Sequence, residues 1–248
     1  MRKLFPSMNS KPEFIRIFLL WGGYVWVFVL VPLFMPFMGA GLWEDPQAIV
    51  WVEIGYHVLN GVVMLVLIAS YLKDEWFMVS TDLRYYLKHI GLTVGLILGT
   101  LVLWVGTLFL SGFDFYLLLE SLPVGEMIVS HTPGAMIYYK PLFGTIALSL
   151  FSPFCICALF YCSVFAPVCY KKPWLAYVCV ALVTMIPPVV DILWRGDALF
   201  NLCSYLVRLP VHLLACWSYQ KTDNVWTPIG ALMGTNLVLS AVVMVMTL

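Results

Sequence analysis

Apolar positions along this chain come in long unbroken runs, at roughly 17–38, 47–72, 90–111, 142–168, 174–194, 199–217 and 226–247, separated by shorter polar connections. About 20 consecutive apolar residues cross a hydrocarbon core as a helix, because only a helix or a closed barrel satisfies every backbone group there. Runs of this length exclude a barrel. The first, third, fourth and seventh contain no Asp, Glu, Lys or Arg. The pattern predicts an all-α, polytopic helical membrane bundle of seven spans. The segment Phe113–Leu122 is apolar but short and is followed by Pro123 and Gly125. It reads as an interfacial or re-entrant helix, or as half of an eighth crossing.

Basic residues give the orientation, since cytoplasmic connections keep Lys and Arg while translocated ones shed them. Ten fall on alternate connections: Arg2, Lys3, Lys11, Arg16, Lys73, Arg84, Lys88, Lys171, Lys172 and Lys221. The opposite connections hold only Lys140 and Arg195, and Arg208 lies inside a span. The amino terminus is therefore expected in the cytoplasm and the chain in the cell or plasma membrane. If Phe113–Leu122 crossed, this asymmetry would collapse, which favours seven spans. The first run exceeds the 7–15 residues of a secretory h-region, so it reads as a retained anchor. The connection at about 112–141 is expected outside, as a solvated loop with a short surface helix or as a cap over an outward-facing cavity.

Composition agrees with the pattern. At 62% hydrophobic and 10% charged, no stretch is polar enough to clothe a soluble domain, so residues 1–248 read as a single transmembrane domain. Thirteen basic and thirteen acidic residues cancel, and no basic patch interleaves with aromatics, which excludes a nucleic-acid partner. The seven cysteines, Cys155, Cys157, Cys162, Cys169, Cys179, Cys203 and Cys216, lie in or beside apolar runs rather than in a polar loop. They read as packing residues, not as disulfides or a zinc site.

Polar groups inside the spans are the candidate site, because an ionisable group in the core costs about 2.5–3.5 kcal/mol on insertion scales. Glu53, His57 and Asn60 share one face of the second span, and Arg208 and His212 share one face of the sixth. With about 1.5 Å of rise per residue the two sets overlap in depth, so Glu53 and Arg208 form an interhelical ion pair if their helices are neighbours. The cluster reads either as a buried charge pair that fixes helix contacts or as a polar cavity. A metal held by Glu53, His57 and His212 is the weakest version, and no cofactor is expected. Pro210, between Arg208 and His212, frees a backbone carbonyl. Pro187 and Pro188 break the fifth span.

From about residue 142 onward, three blocks carry a resemblance. Ser152-Pro153-Phe154-Cys155-Ile156-Cys157-Ala158-Leu159-Phe160-Tyr161-Cys162 has the frame of a proline followed by a catalytic helix. Lys171-Lys172-Pro173-Trp174-Leu175-Ala176 is similar to a basic turn before an apolar helix. Tyr219-Gln220-Lys221-Thr222-Asp223-Asn224-Val225-Trp226-Thr227-Pro228-Ile229 looks like the turn that opens a final helix. Together they resemble the CAAX-protease and bacteriocin-processing (CPBP, Abi) superfamily of intramembrane proteases, with residues 142–248 as the family-like core. The resemblance implies a glutamate pair that activates water, an arginine and two histidines. Here the pair falls on Ile156 and Cys157, the arginine on Tyr161, the first histidine near Pro188, and the second on Leu232. Only the asparagine, Asn236, is retained.

No Glu follows residue 130, and an isoleucine with a thiol cannot replace two carboxylates as general bases. Cys157 has no base or positive charge in sequence reach to make it a nucleophile. The expected function is thus a catalytically degenerate relative, a scaffold, chaperone or regulator in the bilayer that grips a partner's transmembrane helix or peptide through the cavity where relatives cleave. The alternatives are an active intramembrane peptidase using displaced residues such as Glu53 and His57, and a small-molecule or ion-coupled transporter. Against the latter, no internal repeat is visible.

Overall fold

A computed structural model describes residues 21–23, 25–26, 46–114, 117–118, 121–122, 129–131, 137–139, 142–169, 172–195 and 198–247. The fully described helices are α1 (Pro46–Thr81), α2 (Leu83–Leu110), α3 (Leu142–Ile156), α4 (Ala166–Cys169), α5 (Pro173–Thr184), α6 (Ile186–Arg195), α7 (Ala198–Thr222) and α8 (Trp226–Thr247). A π-helical segment, Cys157–Phe165, joins α3 to α4 in one rod. Five stretches are long and apolar enough to cross a membrane: Val50–Ala69, Leu83–Leu110, Leu142–Cys169, Pro173–Val190 and Ala198–Thr222. Trp226–Val242 is a shorter apolar helix. The expected first span, 17–38, lies mostly outside the described residues.

Helix ends depart from the apolar runs for local reasons. Helix α1 continues past residue 72 because Ile68, Leu72, Glu75 and Val79 keep one buried face at helical spacing. Helix α2 starts before residue 90 because the Asp82 carboxylate accepts the Tyr85 N–H at 3.3 Å. The fifth run is broken at Met185, just ahead of the two prolines whose missing N–H groups cannot continue the ladder.

Close contacts give the relative directions of four helices. Two glycines of α1 and α3 set their contact: a Cβ at Gly61 would fall 2.6 Å from the Phe151 carbonyl oxygen, and Gly144 lies against Ile54. The pairs 54 with 144 and 61 with 151 rise together, so α1 and α3 are parallel. Helices α2 and α8 are parallel by the same logic, through Ile90 with Gly230 and Val94 with Gly234. Helix α1 packs chiefly on α3; α2 packs on α7 and α8; α8 also packs on α3 and α7; α7 also meets α5 and α6.

The π segment is the centre of the core, and all nine of its residues are buried. Neighbours on every side hold the widened turns, a form usually confined to single bulges at functional sites. The solvated loop expected after α2 lies largely outside the described residues, but its first part is packed. Asp114 Oδ1 accepts the Leu117 N–H at 3.0 Å and starts a short turn whose Leu118 and Leu122 enter the core. Further on, Val129–His131 and Ile137–Tyr139 form a small antiparallel ladder, with Ser130 opposite Tyr138. This is the one described departure from an all-helical chain, and it suits the β-branched and aromatic residues there.

Candidate functional site

The positions that the resemblance assigns to a protease centre on the third and last helices are buried. Ser149 and Ser240 hydroxyls lie 3.3 Å apart between the antiparallel α3 and α8. Cys157 and Tyr161 are fully buried, and Leu232 and Asn236 are 2% and 3% exposed, which leaves no open face at these positions. The Tyr161 hydroxyl is buried without a hydrogen-bond partner. No described group of three His, Cys, Asp or Glu side chains is arranged to hold a metal ion. None of the seven cysteines is in a disulfide.

The intramembrane polar residues are spread over different contacts. Asn60 is buried, its Nδ2 without a partner, on the turn beside the α1–α3 contact. His57 meets the Tyr56 ring at 5.0 Å. Arg208 Nε donates to the Ser121 carbonyl at 3.3 Å, so this charge snorkels toward the short turn after α2. His212 packs edge-on to Phe160 at 5.2 Å, and its Nδ1 is buried without a partner. The principal neighbour of α1 is α3, and those of α7 are α2 and α8. The Glu53 side chain lies outside what is described, so the ion pair expected between Glu53 and Arg208 falls there too.

A polar centre that the sequence reading missed lies at the other end of these helices. Glu75 is 4% exposed, and its carboxyl Oε2 accepts the backbone N–H of Val225. Asn224 Nδ2 donates to the Glu75 carbonyl at 3.1 Å, and Trp226 Nε1 donates to the Leu72 carbonyl at 2.8 Å. Asn224 Oδ1 accepts the Trp226 N–H at 2.9 Å, and Thr222 Oγ1 donates to Thr227 Oγ1 at 3.0 Å. Asp223, with φ of 50°, supplies the left-handed residue that ends α7. The α7–α8 turn is thus clasped to the end of α1, and a carboxyl from α1 caps the start of α8.

Burial pushes the Glu75 carboxyl up to about 8, the Val225 N–H opposes this, and Asp223 and Asp74 add to it. The signal was present in sequence: Glu75 interrupts the buried stripe of Ile68, Leu72 and Val79. It was hidden because Glu75 follows the apolar run and sits among Lys73, Asp74 and Trp76, where a charged residue reads as solvated. The turn it holds is the third block of the resemblance.

Comparison of the chain with family models, with curated proteins and with solved structures finds no match in any of the three.

Proposed function

We propose that this protein is a catalytically degenerate relative of the CPBP intramembrane proteases, a multi-pass membrane scaffold, chaperone or regulator that holds a partner's transmembrane helix. The observation that carries the reading is burial: Cys157, Tyr161 and Leu232, where the resemblance implies a carboxylate, an arginine and a histidine, are all sealed in the core. A hydrolytic centre needs a general base with access to water and substrate. These side chains supply neither. With these positions sealed, the reading puts the partner on an outer surface rather than in the cleaving cavity of the family.

Helix α2 offers a surface for it. Gly91, Gly95 and Gly99 are exposed at four-residue spacing, and a Cβ at any of them would meet no atom within 4 Å. Such a stripe lets a second helix backbone approach closely, which is how helices associate where lipid removes the hydrophobic driving force. The excess of basic residues at the Glu75 end supports a cytoplasmic placement of that end and of the amino terminus.

A photo-crosslinking side chain at Leu92 or Leu96, introduced in the full chain in native membranes, tests the reading. A partner adduct that disappears when Gly95 becomes Ile supports it. An adduct of twice the chain's mass would make the partner a second copy. Cleavage of a helical reporter by purified chain in liposomes, abolished by Asn236→Ala, would refute it and restore the peptidase reading; Glu53-dependent solute flux would restore the transporter.

A further inference from the structure

Glu75 is an acid enclosed at a joint between separate segments, and nothing in the proposed scaffold role uses it. Three hydrogen bonds cross this joint: Val225 N–H to the Glu75 carboxyl, Asn224 Nδ2 to the Glu75 carbonyl, and Trp226 Nε1 to the Leu72 carbonyl. Trp226 also packs edge-on against Trp76 of α1 at 5.1 Å and against Phe154 of α3 at 6.3 Å. The start of α8 therefore has one docking position, and the carboxyl lies inside it. We propose that Glu75 is a proton-operated latch, closed on the α7–α8 turn while the carboxyl holds its proton and released when it ionises.

The surroundings make the two protonation states unequal. A neutral carboxyl accepts the Val225 N–H through one oxygen and keeps a proton on the other, so no net charge is buried. Ionisation leaves a charge in a site that water barely reaches. The described groups that bear on it are Asp74 on its own helix, Tyr86 on α2, Cys162 on the π segment, and Tyr219 and Asp223 at the end of α7. None is a cation. One N–H and the positive end of α8 are the opposing interactions, and together they do not restore a carboxylate's ordinary affinity for its proton. Opening of the turn to water is the relief available to the ionised state. The same joint reaches α2, because Tyr86 lies beside Glu75 and Asn224.

Hydrogen exchange of the full chain in nanodiscs, read on the peptide covering Asp223–Leu232 and corrected for intrinsic exchange, tests the latch. In the wild type, protection should fall at least about tenfold from about pH 6.5 to about pH 9.5. Glu75→Gln keeps an acceptor for Val225 and mimics the protonated acid, so its protection should stay within about twofold over the same range. Flat protection in the wild type, or an equal fall in Glu75→Gln, would overturn the proposal. Asp223→Asn provides a second readout that does not alter Glu75 itself, and Asn tolerates the left-handed backbone there. It should move the midpoint of the wild-type transition to lower pH by removing a neighbouring negative charge. An unmoved midpoint would overturn the latch equally.

Discussion

Trp104 donates its indole N–H to the carbonyl of Leu206 at 2.9 Å, and Leu206 is the residue four before Pro210. Proline has no N–H, so this carbonyl lacks its partner within α7. An indole from α2 takes the place of the missing donor, as is needed where no water is at hand. Trp104→Phe should therefore destabilise the protein by about 1–2 kcal/mol, beyond any packing change. In a Pro210→Ala background the helix supplies its own donor, and the cost of Trp104→Phe should shrink by about 1 kcal/mol. Unfolding in mixed detergent micelles for the four members of the cycle measures the coupling. Additive costs would mean that the indole does not serve the proline's carbonyl.

Close approach of α1 and α3 predicts opposite outcomes at two glycines of one helix. At Gly61 a methyl group would meet the Phe151 backbone at 2.6 Å, and a backbone cannot swing aside. Gly61→Ala should cost about 1–3 kcal/mol through separation of the two helices. Gly55 is exposed with nothing within 4 Å, so Gly55→Ala should be neutral, or stabilising by up to about 1 kcal/mol. Thermal unfolding in detergent compares them, and equal effects would remove the parallel register drawn from these contacts.

Much of the helical architecture was legible because the bilayer reduces the problem to length and hydropathy. Runs two to six reappear as five long apolar helices, and the seventh as the shorter Trp226–Val242 within α8. The carbonyl freed by Pro210 was readable as chemistry, but its acceptor role for Trp104 was not, since 102 residues separate the indole from the Leu206 carbonyl. The π segment has no signature in an apolar run, because its residue types suit an α-helix equally. Glu75 escaped for a different reason. A run-based reading stops where charges begin, whereas burial there is decided by a turn about 150 residues later.

Tyr161 carries a simpler prediction. Its hydroxyl is buried with no partner, a state that costs about 1–3 kcal/mol relative to a satisfied or apolar group. Tyr161→Phe removes the oxygen without opening a cavity and should leave stability unchanged or raise it by about 1 kcal/mol or more. A clear loss of stability in micelles would mean that the hydroxyl has a function at the position where the family resemblance places an arginine.

Glu75 also sets the sign of a global pH dependence. Its carboxyl is raised from 4.5 to about 8 by burial, so the folded protein holds a proton that the unfolded chain releases at lower pH. Its linkage contribution is fully present below about pH 4.5 and is lost as pH rises through about 8, the reverse of a salt-bridged carboxylate. The amount involved is on the order of a few kcal/mol, since each tenfold change in proton affinity is worth about 1.4 kcal/mol. Other groups titrate over the same range, so the informative quantity is the difference between wild type and Glu75→Gln. That difference should move against the wild type as pH rises from about 5 to about 9, measured by denaturant unfolding in micelles. A constant difference would mean that the carboxyl titrates as an ordinary solvated acid. The capping of α8 by Glu75 would then be a contact made by a carboxylate already ionised at neutral pH, stable without a proton.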